Sequence, residues 1–173
     1  MLRGLEMPDL TDRLFVGVLG NRNSGKSKTW NTLFDRTVQT GKKARPLQLY
    51  GGECAEVFLV SGSPEERDLY VGDLLKDQEC RIILCSIQYT EAVNSTLNYV
   101  VENEFDIFIQ WLNPGYSDKG ENFDHLGLLP WLIGRKAVFS MRNGKMPAMG
   151  RAEELRQFIH GWAKARGLTF QCR

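Results

Sequence analysis

The sequence predicts an α/β fold, specifically a three-layer α/β/α sandwich with a mainly parallel sheet and one antiparallel hairpin. Short apolar runs alternate with amphipathic stretches along the chain, which is the pattern of parallel strands joined by helices. A Gly51-Gly52 pair separates two apolar runs, which is typical of a hairpin turn. No repeat, low-complexity tract or linker interrupts the 173 residues, so we expect one domain over 1–173.

The elements follow from these patterns in chain order. The first strand is an apolar run at 14–19, and the amphipathic stretch after it predicts a helix over 25–34. Residues 37–46 are polar with glycine and proline, which is typical of an exposed loop. The remaining expected elements are hairpin strands at 46–50 and 55–61, a helix over 63–75, a strand at 81–87, a helix from Thr90, a strand at 105–112, a loop at 113–122, a short helix ending near Gly134, a strand at 136–141, a helix over 151–166 and an edge strand at 168–172.

Several predicted helices have recognisable ends. Ser63 and Pro64 followed by Glu66 form a capping-box pattern, which assigns Glu66 to helix capping. Thr90 is the expected cap of the next helix, and Gly167 is expected to end the last one. The apolar residues of the Thr90 helix share one face: Val93, Leu97, Val100 and Val101.

Composition excludes several classes of protein. Lysine and arginine total 22 against 21 acidic residues, and this balance argues against bulk attraction to nucleic acid or to an anionic membrane. No apolar run approaches the ~18 residues of a membrane span, and the N-terminus is polar too early for a secretory signal. We therefore expect a cytoplasmic protein without a membrane partner.

The four cysteines are expected to be reduced thiols. They lack C-x-x-C spacing, and a cytoplasmic location disfavours disulfides. Cys80 and Cys85 lie at opposite ends of a predicted strand, so they cannot share a metal ion. The other two are Cys54 and Cys172.

One motif carries specific chemistry. The stretch from Gly20 to Ser27, GNRNSGKS, matches G-x-x-x-x-G-K-[ST] at every fixed position, with a strand before it and a helix after it. A turn with few side chains lets backbone N–H groups converge on phosphate oxygens, and the helix dipole adds positive potential. Lys26 is expected to reach the β- and γ-phosphates as the catalytic cation, and the Ser27 hydroxyl to ligate Mg²⁺.

The remaining binding residues are expected to lie along the same loop. They are Gly20, Asn21, Asn23, Ser24, Gly25 and Lys28, together with Lys26 and Ser27 themselves. Arg22 is expected to face solvent or a partner. These residues predict a site for ATP or GTP with Mg²⁺.

The segment GNRNSGKSKTWNTLF resembles the P-loop NTPase superfamily. Its G-x-x-N-x-G-K-S pattern and the Asn31-x-Leu33 of the next helix resemble Era-like and iron-transporter-type small GTPases, as does a hairpin directly after the first helix. The close likeness covers about fifteen residues. It implies a P-loop fold and nucleoside triphosphate binding.

The chain departs from that family at three motifs. No Asp-x-x-Gly follows the hairpin, where the sequence has Leu59 to Pro64, and no core strand ends in an aspartate. Asp106 opens its strand, so we expect it on the side away from the phosphates. The guanine-reading Asn-Lys-x-Asp is absent, since 141–145 lacks the acid, and this tilts the expectation toward ATP. The missing strand-end acid, which usually anchors Mg²⁺-bound water in that family, favours slow hydrolysis.

Three further turns are expected at the carboxyl edge of the sheet, where ligands bind in open α/β folds. They are 61–67, 88–91 and 113–119. Glu65, Glu66 and Arg67 are candidates to orient water or a second substrate, but helix capping and solvated charge explain them better. Gln88 is a candidate phosphate or metal-water contact. Trp111 is expected in the core, Lys42, Lys43 and Arg45 in a solvated loop, and Thr37 or Thr40 is a candidate switch hydroxyl.

The function expected from the sequence is Mg²⁺-dependent nucleoside triphosphate binding with slow hydrolysis. Two other classes remain open. One is a small phosphotransferase whose acceptor lies near 61–67 or 113–119. The other is a non-catalytic module whose bound nucleotide orders loops for a protein partner.

Overall fold

The structure is a computed structural model, and it describes residues 12–173. Seven strands and five helices alternate along this part of the chain. They are β1 Leu14–Gly20, α1 Lys26–Phe34, β2 Arg45–Gln48, β3 Glu53–Val60, α2 Val71–Leu75, β4 Ile82–Gln88, α3 Val93–Glu102, β5 Asp106–Leu112, α4 Leu128–Ile133, β6 Val138–Arg142, α5 Met149–Ala165 and β7 Thr169–Gln171.

The strands form one mostly parallel sheet in the order β2-β3-β4-β1-β5-β6, with β7 paired to β3. Strand β1 is central and pairs in parallel with β4 on one side and β5 on the other, so that Gly17 lies between Cys85 and Ile109. The predicted hairpin is confirmed, because β2 and β3 are antiparallel. The expected edge strand is also present, since β7 pairs antiparallel with β3.

Two apolar cores lie on opposite faces of the sheet. One packs α1 and α5 over the sheet, with Trp30, Leu33, Leu155 and Ile159 among its buried residues. The other contains residues of α2, α3 and α4, including Val71, Leu97 and Leu132. Side chains alternate between faces along a strand, so Val16 and Val18 point to the first core and Phe15 and Leu19 to the second. This arrangement buries both faces of β1, as its continuous apolar run predicts.

Parallel pairing brings several loops to one edge of the sheet. The segments after β1, β3, β4, β5 and β6 all begin at the carboxyl ends of parallel strands. In an open α/β sheet this edge is where ligands bind. The Gly20–Ser27 loop therefore lies at the centre of that edge.

The expected helix over 63–75 is wrong. Helix α2 spans only Val71–Leu75, while 64–68 form turns that end at Asp68 with φ of 52°. Glu66 is not a capping residue, because α2 begins five residues later and has no side-chain cap. The two glutamates before it bond elsewhere, and those tertiary contacts displace the local helical pattern. Similarly, α3 begins at Val93 rather than at a cap on Thr90.

The expectation of four reduced thiols is wrong for one pair. Cys54 on β3 and Cys172 after β7 form a disulfide across 118 residues of sequence. The pairing of β3 with β7 places these cysteines side by side, and spacing alone gave no sign of it. Cys80 and Cys85 are free.

This disulfide is expected to stabilise the fold by closing a long loop of the unfolded chain. Cys172→Ser should lower the free energy of unfolding by about 2–4 kcal/mol in urea denaturation under oxidising conditions. Cys80→Ser is the matched control, because that thiol is outside the disulfide. Equal stability of the wild type with and without a dithiol reductant would contradict the prediction.

Among the helices described in residues 12–173, none has the length and hydrophobicity that a membrane-spanning segment requires.

Candidate functional site

The Gly20–Ser27 loop joins the central strand to the first helix. Asn23 and Gly25 adopt positive φ angles of 58° and 102°, which turn the chain back over the end of β1. Helix α1 then begins at Lys26 with no side-chain cap and no acidic residue in its first turn. Its first N–H groups lack intrahelical partners, so the helix presents donors and positive potential at the loop.

Lys26 is buried beside this loop, with 7 % of its surface exposed. Its ammonium group donates to the carbonyl oxygens of Gly20 at 3.2 Å and Asn21 at 2.8 Å. Burial lowers the pKa of Lys26, and the nearby carboxylates of Glu66, Glu65 and Asp118 oppose that shift. The ammonium is therefore held in a confined position by neutral carbonyls.

The loop after β5 docks directly onto the Gly20–Ser27 loop. The backbone N–H of Tyr116 donates to the carbonyl of Ser24 at 2.9 Å, and that of Ser117 to the carbonyl of Asn23 at 3.2 Å. A Cβ on Gly115 would lie 2.5 Å from the Ser24 Cβ, so only glycine permits this approach. The segment 113–119 is thus a wall of the site rather than a free turn.

Asp118 holds that wall in place. Its Oδ2 accepts from the Gly115 N–H at 2.7 Å and from the Asn122 amide at 2.9 Å. The Asn21 amide also donates to the carboxylate, at 3.2 and 3.3 Å to its two oxygens. Asn21 therefore positions the wall, and its side chain does not line the cavity described next.

A cavity of about 1000 Å³ lies over the loop. Its walls come from the Gly20–Ser27 loop, from 61–66, from 116–117 and from the β6–α5 segment 144–148. Five of its lining side chains are cationic: Arg22, Lys26, Lys28, Lys145 and Arg151. Glu66 is the one acidic lining residue within 12–173, so the cavity is strongly positive although the net charge of the whole chain is +1.

Two glutamates reach this edge from the loop after β3. The Glu66 carboxylate lies 3.8 Å from the Lys26 ammonium and is 32 % exposed. Glu65 accepts from the Thr96 hydroxyl at 2.7 Å and from the Gln88 N–H at 3.2 Å, so its carboxylate lies at the end of β4. Burial raises the pKa of Glu65, while its hydrogen bonds oppose the shift.

The sequence favoured capping by Glu66 and solvated charge for both glutamates over a role in the site, and the structure corrects this preference. They supply acidic groups beside β1 although neither is the last residue of a strand. Their partners are 23 and 31 residues away for Glu65 and 40 for Glu66, so no local pattern identifies them. The one feature of the sequence that pointed to these glutamates was their segment, 61–67, which follows a strand and therefore lies at the ligand-binding edge of the sheet.

Arg151 is a site residue that the sequence analysis did not find. It lies in the first turn of α5 and is 4 % exposed. Its Nε donates to the Thr29 hydroxyl at 2.8 Å, its Nη1 to the Met146 carbonyl at 2.9 Å and its Nη2 to the Gly25 carbonyl at 3.4 Å. Burial lowers its pKa. The side chain thus joins α5 to the loop and to α1.

Most of the predicted binding residues meet at the cavity. Six of them line it: Asn23, Ser24, Gly25, Lys26, Ser27 and Lys28. Ser24 is 1 % exposed, and its hydroxyl has no hydrogen-bond partner within the described residues. Gly20, at the start of the loop, does not line the cavity and packs against Ser24, because a Cβ there would be 2.3 Å from the Ser24 Oγ.

Other candidates lie outside the cavity. The Gln88 side chain is half-buried, and the Thr40 hydroxyl accepts from the Ser61 N–H at 2.9 Å. Trp111 is in the core and stacks on Tyr89, as expected. Asp106 pairs with Arg166 after α5, on the side away from the loop, also as expected.

No cluster of three or more histidine, cysteine or acidic side chains suited to a metal ion occurs in 12–173. Comparisons with protein families, with curated proteins and with solved structures give no match for this chain.

Proposed function

We propose that this protein binds a nucleoside triphosphate, with Mg²⁺, in the cavity over the Gly20–Ser27 loop. The observation that carries the proposal is the charge of the cavity: five cationic side chains, one of them the buried Lys26, face one carboxylate. A polyphosphate supplies the negative charge that such a cavity lacks. The motif match and the helix N-terminus at its centre support the same ligand.

The fold class we propose is that of the P-loop NTPases. The strand, glycine-rich loop and helix follow one another as that motif requires, at the central strand of a mostly parallel sheet. The absence of an acid at the ends of the neighbouring strands is offset by Glu65 and Glu66, which reach the same edge from a loop.

The residues present fit a magnesium ion bound with the phosphates. Ser27 lines the cavity and carries a hydroxyl suited to the ion, and Glu66 is the carboxylate available for metal-bound water. Mg²⁺ binds few protein ligands and keeps several waters, so a site of this kind needs no cluster of acidic side chains. When bound, the ion would neutralise charge on the β- and γ-phosphates.

Slow hydrolysis is the activity we assign to this site. Lys26 and the N–H groups of the loop would stabilise charge on the γ-phosphoryl oxygens in the transition state. Glu66 is 3.8 Å from Lys26 and is one-third exposed, so its carboxylate is held by one long ion pair, although Glu65 anchors the same loop to Thr96 and Gln88. Such a weakly held acid suits slow turnover.

The absence of a guanine-reading motif favours ATP over GTP.

A thermal-shift experiment tests the binding proposal directly. A ligand that binds only the folded state stabilises it in proportion to the logarithm of its concentration, by about 2.7 kcal/mol at 100 times its Kd. ATP or GTP with Mg²⁺ should raise the Tm, and release of inorganic phosphate should accompany it. A Tm unchanged by millimolar ATP or GTP would contradict the proposal.

A second candidate is a nucleotide-regulated interaction module. The loop after β3 carries the exposed side chains of Leu69 and Tyr70, only three and four residues from Glu66. A phosphate that pairs with Lys26 would free the Glu66 carboxylate, which is the contact that links this segment to the Gly20–Ser27 loop. Tight nucleotide binding without phosphate release, together with nucleotide-dependent hydrogen exchange over 61–70, would favour the module over the NTPase.

Glu66→Gln should tighten triphosphate binding when Mg²⁺ is absent. The carboxylate repels the phosphates and partly neutralises Lys26, so its removal should lower the Kd for ATP in EDTA by about 3- to 10-fold. Titration calorimetry measures this change. Glu102→Gln, an equal charge change at the end of α3, is the control and should leave the Kd unaltered. Equal or weaker binding by Glu66→Gln would count against the assignment.

A further inference from the structure

Arg151 is a buried cation whose hydrogen-bond partners are all neutral. They are the Thr29 hydroxyl and the carbonyls of Met146 and Gly25. Within residues 12–173, no carboxylate lies within 4 Å of its guanidinium. A buried charge without a countercharge is costly, even when its N–H groups are bonded. The protein therefore carries an uncompensated positive charge beside the loop.

The surroundings of Arg151 make the local potential more positive still. It is in the first turn of α5, whose N-terminus has no side-chain cap and no acidic residue. The preceding Ala148 lines the cavity, so the positive end of α5 faces it. The N-terminus of α1 and the ammonium of Lys26 face the same space. A cation is disfavoured at a helix N-terminus, yet two helices and two buried cations converge here.

We propose that the phosphates of the bound nucleotide are the countercharge of Arg151. Arg151 and the N-terminus of α5 then form a second anion-binding element beside Lys26 and α1. This inference rests on the proposed nucleotide site and extends it to a residue 124 positions beyond Ser27. A guanidinium suits the role because it stays charged when buried and offers several donors in a plane.

A purely structural role would have a different signature. Arg151 bonds to Met146 in the β6–α5 segment, so it could serve only to position the wall that lies over the rest of the nucleotide. Inorganic tripolyphosphate separates the two roles, since it has no base or sugar. If the phosphates pair with Arg151, loss of its positive charge weakens the binding of tripolyphosphate and of ATP alike. If Arg151 only positions the wall, its loss weakens the binding of ATP alone.

The test is titration calorimetry of ATP, with Mg²⁺, and of inorganic tripolyphosphate. The proteins are the wild type, Arg151→Met and Arg151→Lys, with circular dichroism as the check of folding. Arg36→Met is the matched control, because it removes an exposed arginine after α1 that is outside the cavity. Arg151→Gln is a second neutral variant if the Met variant does not fold.

The expected result is at least tenfold weaker binding of both ligands by the neutral variants, as for loss of about one charge-assisted hydrogen bond. Arg151→Lys, which keeps a cation but loses the planar donors, should bind both ligands more tightly than the neutral variants and less tightly than the wild type. Arg36→Met should stay within about threefold of the wild type. Neutral variants that bind both ligands as tightly as the wild type would overturn this inference and leave the proposed function standing. Loss of ATP binding with tripolyphosphate unaffected would also overturn it. A wild type that binds neither ligand would overturn the proposed function and this inference together.

Discussion

Lys26→Ala should raise the Kd for ATP and GTP by at least about 100-fold, or about 2.7 kcal/mol of binding free energy. The ammonium of Lys26 is confined by the Gly20 and Asn21 carbonyls and is the most deeply buried lysine that faces the cavity. Among the described residues, Lys26 is the one cation whose side chain bonds to these two carbonyls. Calorimetric titration of both nucleotides measures the change.

The fold should survive this substitution. Burial lowers the pKa of Lys26, which means that the folded protein holds the charged form at a cost. Removing the charge therefore should not lower the Tm by more than a few degrees. Lys76→Ala, at an exposed position after α2, is the control for a loss of one positive charge. Wild-type affinity in a folded Lys26→Ala protein would disprove the placement of the phosphates.

Gly144→Ala is the second substitution with a large expected effect. A Cβ at this position would lie 2.5 Å from the Ser24 carbonyl oxygen and 3.0 Å from the Tyr116 nitrogen. Both neighbours are backbone atoms of the site, so relief of the clash must move the Gly20–Ser27 loop or its wall. We expect a loss of about 1–3 kcal/mol in the free energy of unfolding, as for overpacking elsewhere. Nucleotide affinity should fall at least tenfold, because the N–H groups lose their alignment.

Gly161→Ala provides the matched control for that experiment. Gly161 is in the interior of α5, and nothing lies within 4 Å of the Cβ that alanine would add. The same chemical change should there raise stability by about 0.4–1 kcal/mol and leave nucleotide affinity unaltered. Urea denaturation and calorimetry of the two variants make the comparison. A Gly144→Ala protein with wild-type stability and affinity would contradict the close approach of these loops.

The sequence predicted those features of the fold that depend on neighbouring residues. The apolar run of β1, the glycine-rich loop and the start of α1 follow one another within about twenty residues, and their order alone defines the central element. The antiparallel hairpin was predictable because Gly51 and Gly52 provide a turn between two apolar runs. Helix α5 was placed within two residues at each end.

The features that the sequence could not predict depend on contacts between distant residues. The Ser63–Leu75 segment has a good capping pattern, but Glu65 bonds to Thr96 and Gln88 and Glu66 faces Lys26, so the helix forms only from Val71. Tertiary contacts of this strength override helix propensity, which is worth a few tenths of a kcal/mol per residue.

Arg151 and the disulfide illustrate the same limit. Arg151 lies 122 residues from its partner Thr29, and Cys54 lies 118 residues from Cys172. No periodicity or spacing connects residues so far apart. In the sequence Arg151 is one polar residue near the start of an amphipathic helix, and only the packing of α5 against α1 brings it to the loop.

Direct titration of the purified protein with ATP and GTP, with and without Mg²⁺, tests the proposed nucleotide site most simply. We expect saturable binding of one nucleotide per chain, sensitive to Mg²⁺ and at least as tight for ATP as for GTP. Absence of binding for both nucleotides at millimolar concentration, in a protein shown to be folded, would contradict it.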